Sequence, residues 1–250
     1  MKNKLGEFVL DANGNRVPVA RPAIDGTTDL QPISPDRIWV GDFIYEDVNN
    51  DGLITEADRK YIGDPNPSFT FGINNTITWK DFELSFFLTG SVGNDAYNYV
   101  RQIFTNPGTW GNKMKDVFNY ARLGLHNPDG STTDISNVYV TNAETAGVQR
   151  VNQYDANKNN RVSSRFVEDA SYIRLKTLSL SWNVPKKWLQ KAHLDWAQLY
   201  VNAQNLFTIT KYKGYDPELG SIGYDVTRQG IDNYRYPSQR IFNIGLKLSF

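Results

Sequence analysis

The sequence contains no cysteine, which removes disulfides, thiolate catalysis and zinc–thiolate sites together. It holds no apolar run near the roughly 18 residues that a membrane helix needs. Its opening stretch, Met1-Lys2-Asn3-Lys4-Leu5-Gly6, lacks the apolar segment of a signal peptide. Charge of neither sign is in excess, because 27 Lys plus Arg balance 27 Asp plus Glu. There is thus no basic field to hold a phosphate backbone, and nucleic-acid binding has no support. Histidine is scarce as well. His126 and His193 lie far apart, and no Ser or carboxylate has a spacing that marks a catalytic partner, so the sequence nominates no catalytic residue and no enzyme.

Aromatic residues and glycine are plentiful: 13% of the chain is Phe, Trp or Tyr, and Gly occurs 19 times among 250 residues. That balance leans towards strands and turns, and the expected fold class is all-β. Lack of a long apolar run does not exclude a membrane location for such a chain. A transmembrane β-barrel spreads its hydrophobicity over alternate residues.

Residues 1 to about 67 are rich in Asp, Asn, Gly and Pro, with turn signals at Asn13-Gly14 and Asp25-Gly26, and read as a long loop region. From Ser68 the pattern changes. Phe69, Phe71, Ile73, Ile77 and Trp79 alternate with small polar residues, a Lys80-Asp81 turn follows, and Phe82, Leu84, Phe86 and Leu88 continue the alternation. A third strand is expected from about Tyr172 to Val184, with Leu178, Leu180, Trp182 and Val184 on one side. Ile173 and Leu175 are out of phase with them, which calls for a bulge. The next apolar face runs through Ala197, Leu199, Val201, Ala203, Phe207 and Ile209, and the last through Phe242, Ile244, Leu246, Leu248 and Phe250.

Five strands are thus expected over 68–250, joined by connections that alternate tight, very long, short and long. An up-and-down barrel of the bacterial outer membrane has short periplasmic turns and long extracellular loops, which is this alternation. None of the five apolar faces carries a charge. Trp79, Phe82 and Trp182 sit beside the short turns, where an aromatic girdle belongs, whereas the parity of Trp196 points to the lumen. The expected architecture is therefore an antiparallel up-and-down transmembrane β-barrel, represented by five strands with long extracellular loops. The competing reading is a soluble, calcium-dependent β-sandwich that binds carbohydrate, since a sandwich also alternates with period two.

The sharpest local motif runs from Asp47 to Asp58. It matches an EF-hand-type calcium loop, with side-chain oxygens from Asp47, Asn49 and Asp51, a glycine at Gly52, the carbonyl of Leu53 and an acid at Asp58. The shorter Asp in place of Glu at the last position reaches a cation less readily in two-oxygen mode. The pattern resembles the calcium loops of dockerin modules, and a structural calcium is expected; the bland reading is an Asx-Gly turn that binds nothing. Between Asp95 and Tyr120 the rings of Tyr97, Tyr99 and Trp110 are candidates for stacking on sugar, against the plainer reading that they pack the segment onto its neighbours.

Several stretches resemble the SusC/RagA family of TonB-dependent outer-membrane transporters. They are Gly41-Asp42 with the Asp47-to-Asp58 loop, Ile62-Gly63-Asp64-Pro65-Asn66-Pro67, and the hairpin from Phe71 to Asn94. The most specific are Phe166-Val167-Glu168-Asp169-Ala170-Ser171-Tyr172-Ile173-Arg174-Leu175-Lys176 and Asn205-Leu206-Phe207-Thr208 with Gly214-Tyr215-Asp216-Pro217-Glu218. The resemblance implies the C-terminal five of about twenty-two barrel strands. It implies import of glycan or peptide fragments across the bacterial outer membrane, a SusD-like surface lipoprotein as partner, and the TonB complex engaged through N-terminal parts that this chain lacks. The final strand, Phe242 to Phe250, is similar to the terminal signal that outer-membrane barrels present to their assembly machinery.

Overall fold

The computed structural model describes residues 9–10, 16–17, 20–190, 193–222 and 225–250. Five long strands dominate: β1 (Phe69–Trp79), β2 (Phe82–Val92), β3 (Tyr172–Asn183), β4 (Trp196–Thr210) and β5 (Ile241–Ser249). They form one sheet in the order β5-β4-β3-β2-β1, every neighbour antiparallel. Spatial order follows chain order, so this is an up-and-down wall. The β1–β2 turn is Lys80-Asp81, with Lys80 at φ 54, and the Asp81 carbonyl accepts from Asn183 N–H at 2.8 Å.

Cross-strand pairing decides what each face displays, because directly paired residues of an antiparallel sheet point to the same side. One row reads Trp79, Phe82, Trp182, Leu199 and Leu246; the next reads Ile77, Leu84, Leu180, Val201 and Ile244. Asn75 is the polar residue on this side, paired with Phe86. The opposite face carries Thr76, Thr78, Glu83, Ser85, Ser179, Ser181, Asn202, Asn243 and Lys247, and Trp196 joins it through its pairing with Ser249, as its parity requires.

The phase slip in β3 is resolved by a bulge between Leu175 and Thr177. Lys176 is the extra residue opposite β2, where Leu88 and Phe87 are consecutive partners of Leu175 and Thr177. It returns Ile173 and Leu175 to the apolar side, beside Ile209 and Phe207. Aromatic rings then line the short-turn edge of that side: Trp79 and Phe82 stack at 6.5 Å, Phe82 and Trp182 at 6.2 Å, and Trp188 meets Trp182 edge-on at 5.7 Å.

The chain groups into two compact units, Met1–Tyr61 with Arg101–Ser163, and Ile62–Val100 with Ser164–Phe250. The second holds the wall. It also holds a small sheet in which Asp95–Asn98 lies between Val167–Asp169 and Ile231–Asp232. The first unit is built from short elements around a small core of Trp39, Val40 and Val138. Within it Asp25-Gly26 makes the expected turn, with Gly26 at φ 80 and Thr27 N–H donating to the Ile24 carbonyl at 2.9 Å. The Asn13-Gly14 signal lies outside the described residues. Among those described, no helix is long and apolar enough to cross a membrane, which says nothing of crossing by strands.

Candidate functional site

The apolar side of the wall is uncovered. Phe242 is 65% exposed, Ile244 76%, and Leu246, Leu248, Val201, Leu180, Ile77 and Ile73 are all exposed. A β-sandwich would bury this face under a second sheet about 10 Å away; among the described residues no layer covers it. A soluble monomer rarely shows a contiguous apolar patch beyond a few hundred Å², whereas a lipid-facing barrel wall requires one. Phe242, Ile244, Leu246 and Leu248 share this side with the rest of the wall, and Phe250 follows the strand, fully open.

On the polar side, near the end joined by the long connections, Arg174 is buried at 3% side-chain exposure. Its guanidinium donates to the Asp216 carboxylate, to Glu218 Oε2 at 2.8 Å, to Ser238 Oγ at 3.0 Å and to Thr208 Oγ1 at 2.9 Å. Lys176, the bulge residue, reaches both oxygens of Glu218 at 2.7 Å. Asp216 also accepts from Ser238 N–H at 2.9 Å and Glu218 N–H at 3.0 Å. Burial works to raise the Asp216 carboxyl, but the Arg174 guanidinium and these N–H groups outweigh it and hold it down to about 2. The result is a latch that ties the Lys211-to-Arg240 connection to the wall. Its halves are the two stretches that most resemble SusC/RagA sequences, although their spacing along the chain does not mark them as partners.

A second buried pair lies close to the same connection. Tyr212 donates to Asp232 Oδ2 at 2.7 Å, and its hydroxyl is pushed well up, by burial first and then by that carboxylate. In the other unit, Asp42 accepts from Arg150 Nε at 3.0 Å, Asn159 Nδ2 at 3.1 Å and Trp39 N–H at 2.9 Å, while Arg150 also donates to the carbonyls of Pro35 and Arg37. Burial raises the Asp42 carboxyl in spite of Arg150. Gly41 beside it stands at φ 92, and a Cβ there would meet Arg150, Ala121 and Leu123 at 3.2–3.3 Å.

The Asp47-to-Asp58 loop is wound by bonds from its backbone N–H groups to its own Asp and Asn side chains. Asp47 Oδ2 accepts from Gly52 N–H at 2.9 Å, Asn49 Oδ1 from Asp51 N–H at 3.1 Å, and Asp51 Oδ1 from Leu53 N–H at 2.7 Å. Gly52 at φ 81 supplies the left-handed residue this winding needs. Asp58 differs from a terminal ligand, because it closes a capping box with Thr55 and also accepts from Val48 N–H at 2.9 Å. Slight burial raises its carboxyl, and the backbone N–H groups of Thr55, Val48 and Asn49 bring it below the ordinary range. Among the described residues, no three acidic or histidine side chains are gathered as a metal array, so Asp47, Asp51 and Asp58 are not drawn to one centre.

The three candidate ring residues separate. Tyr97 lies in the small sheet, edge-on to Phe166 at 6.2 Å, its hydroxyl buried without a hydrogen-bond partner and raised to about 12 by burial, with Tyr99 adding to it. Tyr99 begins a short helix, Tyr99–Phe104, and meets Tyr234 edge-on at 6.2 Å. Trp110 is 94% exposed in the other unit. His126 and His193 are exposed.

An antiparallel wall with one continuous, uncharged, uncovered face and one polar face defines the class: an outer-membrane β-barrel segment. No family model matches the chain. It is 35% identical over 214 residues to TonB-dependent receptor P3 of Formosa agariphila, an overlap covering 84% of this chain and 19% of that receptor. To TonB-dependent receptor SusC of Bacteroides thetaiotaomicron it is 29% identical over 208 residues, 83% of this chain and 17% of the receptor. The chain also superposes on the solved RagAB peptide transporter with a TM-score of 0.50 at 26% identity, covering 74% of this chain and 17% of that one. The chain is homologous to the SusC/RagA-type TonB-dependent receptors, outer-membrane proteins rather than enzymes, and spans about a fifth of the length of the curated relatives it matches.

Proposed function

We propose that this chain supplies the C-terminal strands and extracellular loops of a TonB-dependent importer of glycan or peptide fragments, working with a SusD-like surface lipoprotein and energised through the TonB complex. The observation that carries this reading is the five-strand apolar face, in phase across every strand pair because of the bulge at Lys176. Homology to the receptors adds the transport function. In this reading Phe242 to Phe250 is the strand read by the barrel-assembly machinery, and Trp79, Phe82, Trp182 and Trp188 mark the periplasmic lipid boundary. The test is fractionation of the source organism, unheated and heated, with an antibody against this segment. A heat-modifiable outer-membrane band that is lost together with uptake of oligosaccharides and peptides on gene deletion supports the importer; a soluble band sinks it.

Calcium belongs to the same proposal. The loop is wound by its own N–H groups around Asp47, Asn49 and Asp51, and a hard cation draws these oxygens, the Leu53 carbonyl and Asp58 together. Calcium is expected to raise the thermal unfolding temperature of the full-length receptor by several degrees, and Asp51→Ala to abolish the rise. Calorimetry showing no calcium effect on the unsubstituted receptor removes the site.

A further inference from the structure

We propose that the ring ladder Trp79, Phe82, Trp182 and Trp188, with the Lys80 ammonium over its first ring, seats the headgroup of an anionic phospholipid at the short-turn edge of the wall; this rests on the lipid-facing reading above. The four rings meet in sequence: Trp79 stacks on Phe82 at 6.5 Å, Phe82 on Trp182 at 6.2 Å, and Trp188 stands edge-on to Trp182 at 5.7 Å. Lys80 Nζ lies 4.8 Å from the Trp79 ring centroid. Trp79 is 64% exposed and Trp188 56%, so the ladder is open at both ends.

What borders the ladder identifies its occupant. On one side it continues into the apolar row of Ile77, Leu84, Leu180, Val201 and Ile244, whose exposed members suit acyl chains and nothing polar. On the other it ends at the Lys80-Asp81 turn and the short connection after β3. A molecule lying against both is apolar along the wall and polar at its end, which is a lipid and not a free anion. The connection that carries Trp188 is tied down at both ends: Val184 N–H donates to the Ala197 carbonyl and Asp195 N–H to the Ser249 carbonyl, each at 2.9 Å, and Leu189 is buried.

Charge selects the headgroup. The Lys80-Asp81 turn and the 185–195 connection carry Lys80, Lys186, Lys187 and Lys191 against Asp81 and Asp195, four positive charges to two negative. Glu83, close by in β2, pairs with Ser181 on the polar side of the wall. Lys186 and Lys187 immediately precede Trp188 in the short helix Lys186–Leu189 and are exposed. Indole N–H and ammonium groups only donate, which suits a phosphate diester. A zwitterionic choline headgroup adds a quaternary ammonium that seeks an aromatic face, but Lys80 already holds the face of Trp79 and the lysines repel it. Lys80 itself stands at φ 54 in the first place of the two-residue turn, where glycine or asparagine is the ordinary choice. The turn geometry gives no reason for a lysine there.

Native mass spectrometry of the purified full-length receptor, exchanged into phosphatidylglycerol or phosphatidylcholine of the same acyl chains, tests this, with glycerol phosphate as the chain-free anion. The receptor is expected to retain phosphatidylglycerol about tenfold or more over phosphatidylcholine, and to retain no glycerol phosphate. Lys80→Asn, which suits the turn, should lower that preference about fivefold, and Lys80→Arg should keep it. Trp188→Ala should lower retention of both lipids. Both positions are exposed, so outer-membrane level and heat-modifiability should stay unchanged. Equal retention of the two lipids, or a preference unmoved by Lys80→Asn, overturns the inference. Glycerol phosphate retained as well as the lipid makes this a plain anion site and overturns the lipid as occupant. A receptor absent from the outer membrane overturns the lipid-facing reading as well.

Discussion

Ile244→Arg is expected to reduce the outer-membrane level of the full-length receptor several-fold, whereas Asn243→Arg, one residue away, should leave it near normal. Ile244 lies in mid-strand in the row with Val201, Leu180, Leu84 and Ile77, and is the most open residue of that row. A guanidinium at bilayer midplane costs about 2–4 kcal/mol. That is a large fraction of the 5–15 kcal/mol by which folded domains are typically stable. Asn243 pairs with Asn202 on the polar side, so the same guanidinium there stays in water. Quantitative immunoblots of outer-membrane fractions read both variants. Equal loss would mean that β5 tolerates no charge on either side and that the lipid-facing assignment is wrong; no loss for either would mean that the apolar face meets something other than lipid.

The wall was legible in the sequence because its physics is local. Period two puts Ile77, Leu84, Leu180, Val201 and Ile244 on one side of their strands whatever the rest of the chain does. Even the bulge announced itself, since Ile173 and Leu175 can join the apolar side only if one residue is skipped. What the period could not show is which residues meet across the long connections. Arg174 and Asp216 are 42 positions apart, and nothing near either says that the other completes it. One signal was available: an Arg on the polar parity of a wall strand, flanked by Ile173 and Leu175, needs a carboxylate partner. The ring residues were harder. Asp95 to Tyr120 is dense in aromatics, yet Tyr97 is packed into a small sheet edge-on to Phe166 and Tyr99 meets Tyr234, a partner 135 positions on that sequence spacing does not encode.

Arg174→Met should detach the Lys211-to-Arg240 connection and cost about 3–5 kcal/mol, because it strands the Asp216 carboxylate in a buried place with its charge partner gone. Arg174→Lys is not expected to rescue it. A single ammonium cannot span Asp216, Glu218, Ser238 and Thr208, which the planar guanidinium meets together. Hydrogen exchange of the amides from Tyr215 to Ser238 reads the detachment, while the turn end of the β1–β2 hairpin, Trp79 to Leu84, which pairs along β3 at the end away from Arg174, should keep its protection. The same latch fixes an acid limit. Asp216 is held at about 2 against an ordinary 3.8, so its contribution is complete above the ordinary value and is lost as pH falls through about 2. Exchange protection of the connection, corrected for intrinsic rates, should therefore be flat from neutral pH down to about pH 4 and fall only below that. An opening centred near pH 6 would show that some group other than Asp216 holds the connection to the wall.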